Sequence, residues 1–136
     1  MRGYQGRVIF AALVAVFLFG CDASSGTSAP PKLADIQTTI FKKSCVFSPC
    51  HKGPSGAGGL VLDGTLDEVF TALVNAPTQS VKDKIRVVPD SPDTSYLVEK
   101  ITRTEAEKGS AMPIDVVSAE KIESIKAWIR AGAKKD

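Results

Sequence analysis

The run Cys45-Val46-Phe47-Ser48-Pro49-Cys50-His51 constrains this chain more than any other stretch, because it sets two of the three cysteines beside the only histidine. Two thiols and an imidazole so close together have few stable fates in a folded protein. The thiols can oxidise to a disulfide, bind a metal together with the imidazole, or add to the vinyl groups of a haem whose iron the imidazole then ligates. A cysteine pair ending in Cys-His is the usual signature of c-type haem attachment. That signature leaves two residues between the thiols, whereas four stand between them here.

Which fate is open depends on the compartment. Arg2 and Arg7 supply a positive n-region and Val8 to Phe19 an uninterrupted apolar stretch, so residues 1–20 read as an export signal. The apolar stretch is short for a membrane span. It ends in Leu18-Phe19-Gly20-Cys21, which resembles the bacterial lipoprotein box, with Cys21 as the lipidated residue. An ordinary signal peptide, or a short uncleaved anchor with an incidental cysteine, is the alternative. On each reading the chain leaves the cytoplasm, where free thiols are a liability, so Cys45 and Cys50 must pair or bind something. Loss of the signal takes two positive charges from a formal net charge of +2, leaving a mature chain of about zero. That neutrality excludes nucleic acid as a partner and gives no general pull toward anionic lipid. Residues 21–32, lipid cysteine included, are small and polar with two adjacent prolines, and read as a flexible tether. Residues 33–136 are enough for one small domain, whose modest polypeptide core a large apolar cofactor would extend.

Within that domain the periodicity is helical. Leu33, Ile36 and Ile40, with Phe41 beside them, predict a first helix running into the cysteine region. His51 to Gly59, with four glycines and a proline, reads as a loop without regular structure, followed by a short extended piece at Leu60 to Asp63. A second helix is expected over Leu66 to Asn75, with Val69, Phe70, Leu73 and Val74 as its apolar stripe. Ser91 as N-cap and Pro92 at the first helical position predict the start of a third, with Tyr96, Leu97, Ile101 and the stem of Lys100 on one side. Gly109 to Pro113 interrupts regular structure. Ser118 caps a last helix lined by Ile122, Ile125 and Ile129, with Trp128 adjacent and Gly132 as its stop. The fold class expected is all-α.

If a haem is attached, its iron needs a second axial ligand, and no second histidine exists. Of the two methionines, Met1 leaves with the signal and Met112 remains, in Gly109-Ser110-Ala111-Met112-Pro113. A lone methionine is often core filler, but one in an irregular glycine–proline loop C-terminal to a Cys-Cys-His run is a candidate ligand.

Five motifs then stand in order: Cys45, Cys50 and His51; Gly58-Gly59-Leu60; Val88-Pro89 with Ser95-Tyr96-Leu97; Met112-Pro113; and Trp128-Ile129-Arg130-Ala131-Gly132-Ala133. In this order the chain resembles the small class I cytochrome c domains, specifically the lipoprotein and planctomycete-type cytochromes, over nearly the whole exported domain. The resemblance implies a class I fold around one haem c, held covalently by Cys45 and Cys50, with His51 and Met112 as axial iron ligands. It also implies first and last helices packed together, with Ile40 or Phe41 close to Trp128. Leu60, Leu62, Tyr96 and Leu97 would line the pocket. The function implied is one-electron transfer to and from redox partner proteins at the periplasmic side of a bacterial membrane, the domain tethered by lipid on Cys21. A single attachment site and a filled sixth iron position argue against a peroxidase. The departure is the four-residue spacing, in which Pro49 opposes a continuous helix and the extra residues must bulge outward. Lys42, Lys43 and Lys52 flank the site and would form either a docking rim or ordinary solvated surface.

Three other readings compete. A Cys45–Cys50 disulfide in a haem-free lipoprotein acting as a binding or structural module leaves His51 and Met112 without a purpose. A zinc site lacks an obvious fourth ligand. A thiol-redox centre lacks the strand-to-helix context.

Overall fold

Twelve consecutive helical residues open the described part of the domain, in three pieces. The computed structural model describes residues 28–47, 49–102, 112 and 117–136; the signal segment, Cys21, and the Gly109, Ser110, Ala111 and Pro113 positions around Met112 lie outside them. The pieces are α1 (Leu33–Ile36), a π-helical turn (Gln37–Phe41) and α2 (Lys42–Ser44), with helical dihedrals across both junctions. Leu33, Ile36, Ile40 and Phe41 are all buried, as their spacing predicts. Gln37 shares this face and donates its side-chain N–H to the Gly64 carbonyl at 2.8 Å. The free N–H groups at the start of α1 are met from the far end of the chain. Asp136 accepts from Ala34 N–H through its backbone oxygen (2.9 Å) and from Leu33 N–H through its carboxylate (3.3 Å).

Helix α3 (Leu66–Leu73) starts with a capping box. The Thr65 hydroxyl accepts from Glu68 N–H, and the Glu68 carboxylate accepts from Thr65 N–H at 2.7 Å. These bonds hold the Glu68 carboxyl below its ordinary range. The helix ends two residues before the expected Asn75. Val74 turns extended and pairs with Val87 in an isolated bridge, and Asn75 takes a left-handed φ of +56°. A tertiary pairing thus overrides the helical pattern before Pro77 is reached.

The third helix also differs from expectation. Pro92–Thr94 forms only a single 3-10 turn, Ser91 makes no side-chain cap, and Ser95 is extended. Helix α4 (Tyr96–Thr102) begins after it. The Ser95 hydroxyl donates to the Ser91 carbonyl at 2.8 Å and accepts from Val88 N–H at 2.9 Å. The N–H groups of Tyr96 and Leu97 donate to the Ile85 and Arg86 carbonyls at 3.0 and 2.9 Å, which fixes where α4 can start.

Helix α5 (Ala119–Arg130) follows the sequence closely. Ser118 caps it, and Ile125, Trp128 and Ile129 are buried. It closes in a Schellman arrangement: Ala133 N–H reaches the Trp128 carbonyl, Gly132 N–H reaches the Ile129 carbonyl, and Gly132 sits at φ +92°. Helices α1 and α5 are in contact, and Ile40, Phe41 and Trp128 belong to one apolar core with Leu62, Val69 and Leu73. Trp128 is core, and its indole N–H donates to the Lys134 carbonyl at 2.8 Å. Among the described residues there are helices and two isolated bridges but no strand, and no helix is long and apolar enough to cross a membrane. The architecture is all-α.

Candidate functional site

The cysteine loop begins where the first helical run ends. Cys45 N–H and Val46 N–H both donate to the Phe41 carbonyl, and the chain then leaves the helix. Four residues later Cys50 N–H turns back onto the Phe47 carbonyl, and His51 N–H donates to the Cys45 carbonyl at 3.2 Å. With two residues between the cysteines, that last bond would be an ordinary α-helical one spanning four positions. Here it spans six, and the surplus is turned outward: Pro49 is exposed, and Phe47 is 54% exposed, the one large apolar side chain so placed among the described residues. Cys45 and Cys50 are half-buried free thiols. Burial, together with the neighbouring Cys50, pushes the Cys45 thiol up to about 11, so it stays protonated.

The glycine-rich stretch after the histidine is better ordered than its composition suggests. Ala57–Gly59 forms a 3-10 turn in which Gly58 and Gly59 take φ values of +62° and +65°. Ala57 N–H donates to the Cys50 carbonyl at 2.8 Å, and Leu62 N–H to the His51 carbonyl at 3.0 Å. The stretch is thereby folded back over the histidine. Its product is a bond no residue pattern announces: the Leu60 carbonyl lies 3.1 Å from His51 Nδ1. A carbonyl can only accept, so the proton belongs to Nδ1 and the lone pair to Nε2.

That lone pair faces Met112. Nε2 and the Met112 sulfur are 3.4 Å apart although 61 positions separate them in sequence. A second proton on the imidazole would turn this contact into a hydrogen bond. Burial above all, with Arg86 and Lys100 adding to it, holds His51 below its ordinary value and opposes that proton. With its proton held on Nδ1, the imidazole turns a nitrogen lone pair toward the thioether, and both atoms are donors that a transition-metal ion accepts. A first-row metal with about 2.0 Å to nitrogen and 2.3 Å to sulfur would need roughly 4.3 Å between the two atoms, against the 3.4 Å that separates them here. An imidazole nitrogen and a thioether sulfur with unoxidised thiols alongside is a donor set that fits a c-type haem.

No family model, curated protein or solved structure matches the chain.

Of the sequence candidates, His51 and Met112 converge, Cys45 and Cys50 share the loop beneath them, and Cys21 is outside the described residues. No cluster of three or more His, Cys, Asp or Glu side chains exists among the described residues that would hold a metal by itself. Leu62 and Tyr96 are buried while Leu60 and Leu97 are half-buried, and Lys42, Lys43 and Lys52 are exposed. Two participants carry no sequence signal for the site. Lys100 is only 9% exposed, lies 6.0 Å from the centre of the Tyr96 ring, and receives the Met112 N–H on its carbonyl. Arg86, which the sequence does not single out, sets its guanidinium on the Gly58 and Gly59 carbonyls of the histidine loop and on the Ala72 carbonyl of α3.

Proposed function

We propose that this protein is a monohaem c-type cytochrome that carries single electrons while tethered to a membrane through lipid on Cys21. In this reading Cys45 and Cys50 would hold a haem covalently through their sulfurs, and His51 and Met112 would supply the nitrogen and sulfur that bind its iron. When bound, the haem supplies an iron that cycles between ferrous and ferric states. The chain's own residues do the rest. The Leu60 carbonyl holds the Nδ1 proton and so presents Nε2, the Met112 thioether favours the ferrous form, and the surrounding apolar side chains limit water. With His51 and Met112 both engaged, the chain itself would supply the ligands to the iron, which suits an electron carrier. The role is electron transfer with protein partners, not catalysis at iron.

The observation that carries this reading is the 3.4 Å apposition of two lone-pair atoms, His51 Nε2 and Met112 Sδ. The helical run between tether and site adds to it. From Leu33, where the tether joins, to Ser44, beside Cys45, that run is roughly 18 Å long, so the lipid-linked end and the cysteine loop are at opposite ends of one rod. The test is a pyridine haemochrome spectrum and an intact mass on protein made with a cytochrome c maturation system. One covalent haem per chain is expected. A chain without haem whose Cys45 and Cys50 have lost two hydrogens to a disulfide would replace this reading with that of a haem-free lipoprotein module.

A further inference from the structure

The bond that selects the histidine tautomer is made by a backbone carbonyl in a glycine-rich turn, the sort of segment that does not hold a direction unaided. Something must fix it. On its C-terminal side the Leu60 peptide is held by Leu62 N–H on the His51 carbonyl at 3.0 Å. On its N-terminal side the Gly58 and Gly59 carbonyls both point at one guanidinium, with Arg86 Nη2 at 3.0 and 3.4 Å. The other arm of the same group, Nη1, donates to the Ala72 carbonyl at 2.8 Å, near the C-terminal end of α3. The Arg86 backbone is itself fixed, by N–H to the Ala76 carbonyl at 2.8 Å and by its carbonyl to Leu97 N–H at 2.9 Å at the start of α4. One planar cation thus ties the turn to α3, and the backbone of the same residue is bound to the start of α4.

We propose that Arg86 is the positioning residue of the axial histidine: its guanidinium anchors the Gly58–Gly59 turn so that the Leu60 carbonyl captures the Nδ1 proton and leaves Nε2 free to bind. Arg86 touches neither His51 nor Met112 by a hydrogen bond and acts through the turn. A lysine cannot replace it, because an ammonium is a point charge and not a flat fork able to span carbonyls from two elements. The consequence at iron rests on the haem reading above; the tautomer lock does not.

The single histidine makes the test direct, since its side-chain nitrogen signals in an NMR spectrum need no assignment. The measurement is hydrogen exchange of the His51 Nδ1 proton in the purified full chain, for wild type, Arg86→Lys and Arg86→Gln, with melting followed in parallel. Covalent haem is scored separately by its pyridine haemochrome, so loss of the haem reading and loss of this one are told apart. The wild type is expected to carry its proton on Nδ1. In both variants exchange should accelerate about five- to tenfold, the value of one net hydrogen bond, with cooperative melting retained. Wild-type exchange in Arg86→Lys would overturn the proposal by showing that charge alone suffices. If neither variant folds, the wild type still decides: Arg86 guanidinium protons exchanging as fast as those of the exposed Arg130, or a His51 proton on Nε2, would equally overturn it.

Discussion

Met112→Leu separates a ligand from a core filler, because it keeps the volume and removes only the sulfur. Met112 is half-buried and tied to its surroundings by a long backbone bond, N–H to the Lys100 carbonyl at 3.4 Å. A volume-conserving exchange at such a place costs less than about 1.5 kcal/mol in stability. If Met112 fills space, leucine does the same, and the reduction potential of the haem-loaded protein stays within about 60 mV of wild type, one tenfold step for a one-electron couple. If the sulfur facing Nε2 at 3.4 Å is the second axial ligand, its loss removes the partner that favours ferrous iron. Axial ligands set haem potentials over a range of about 0.8 V, so the fall should be on the order of 0.1 V or more. At about 1.4 kcal/mol per 59 mV, that exceeds what the packing change can produce.

The assay is a spectroelectrochemical titration of wild type, Met112→Leu and Met112→Ala, followed by addition of imidazole to each ferric protein. Both variants are expected to fall in potential together and to take up imidazole at the vacated position. The wild type should resist. A Met112→Leu protein that keeps the wild-type potential and refuses imidazole would refute the assignment of Met112 as ligand, whatever Met112→Ala does.

Two further outcomes test the fold and the electrostatics around the site. Ile129→Ala, at 0% exposure, should cost about 2–5 kcal/mol and lower the melting temperature by roughly 10–20 °C, whereas Ile122→Ala, half-exposed on α5, should cost less than half as much; equal losses by circular dichroism would mean that α5 buries a different face. In the haem-free chain, burial holds His51 below its ordinary value, so its contribution to stability is complete above about pH 6.5 and is lost as pH falls from there through the folded-state value. Urea midpoints should therefore rise between about pH 5 and pH 7 more steeply in wild type than in His51→Gln, and equal slopes would show that the imidazole is not desolvated.

What was legible in the sequence was whatever a side chain's identity carries. The apolar period of Leu33, Ile36 and Ile40 and the Ser118 cap with its Gly132 stop point where the structure puts them, and His51 and Met112, singled out by their rarity, lie in contact. What was not legible is carried by backbone groups, which every residue possesses. Nothing in Leu60 as a residue type announces that its carbonyl orients the histidine, and nothing in Arg86 announces three carbonyl partners. The false start of the third helix has the same origin: Ser91-Pro92-Asp93 is correct chemistry for a turn, but the Ile85 and Arg86 carbonyls decide where the helix begins. The six-position spacing from Cys45 to His51 belongs to this class too. The number of residues between the cysteines does not by itself say where the two thiols and the imidazole stand. The His51 N–H to Cys45 carbonyl bond at 3.2 Å sets that placement across the longer loop, and the added residues escape into solvent with Phe47 at their tip. A count of intervening residues does not show this closure, in which the backbone of His51 returns to that of Cys45 across the longer loop.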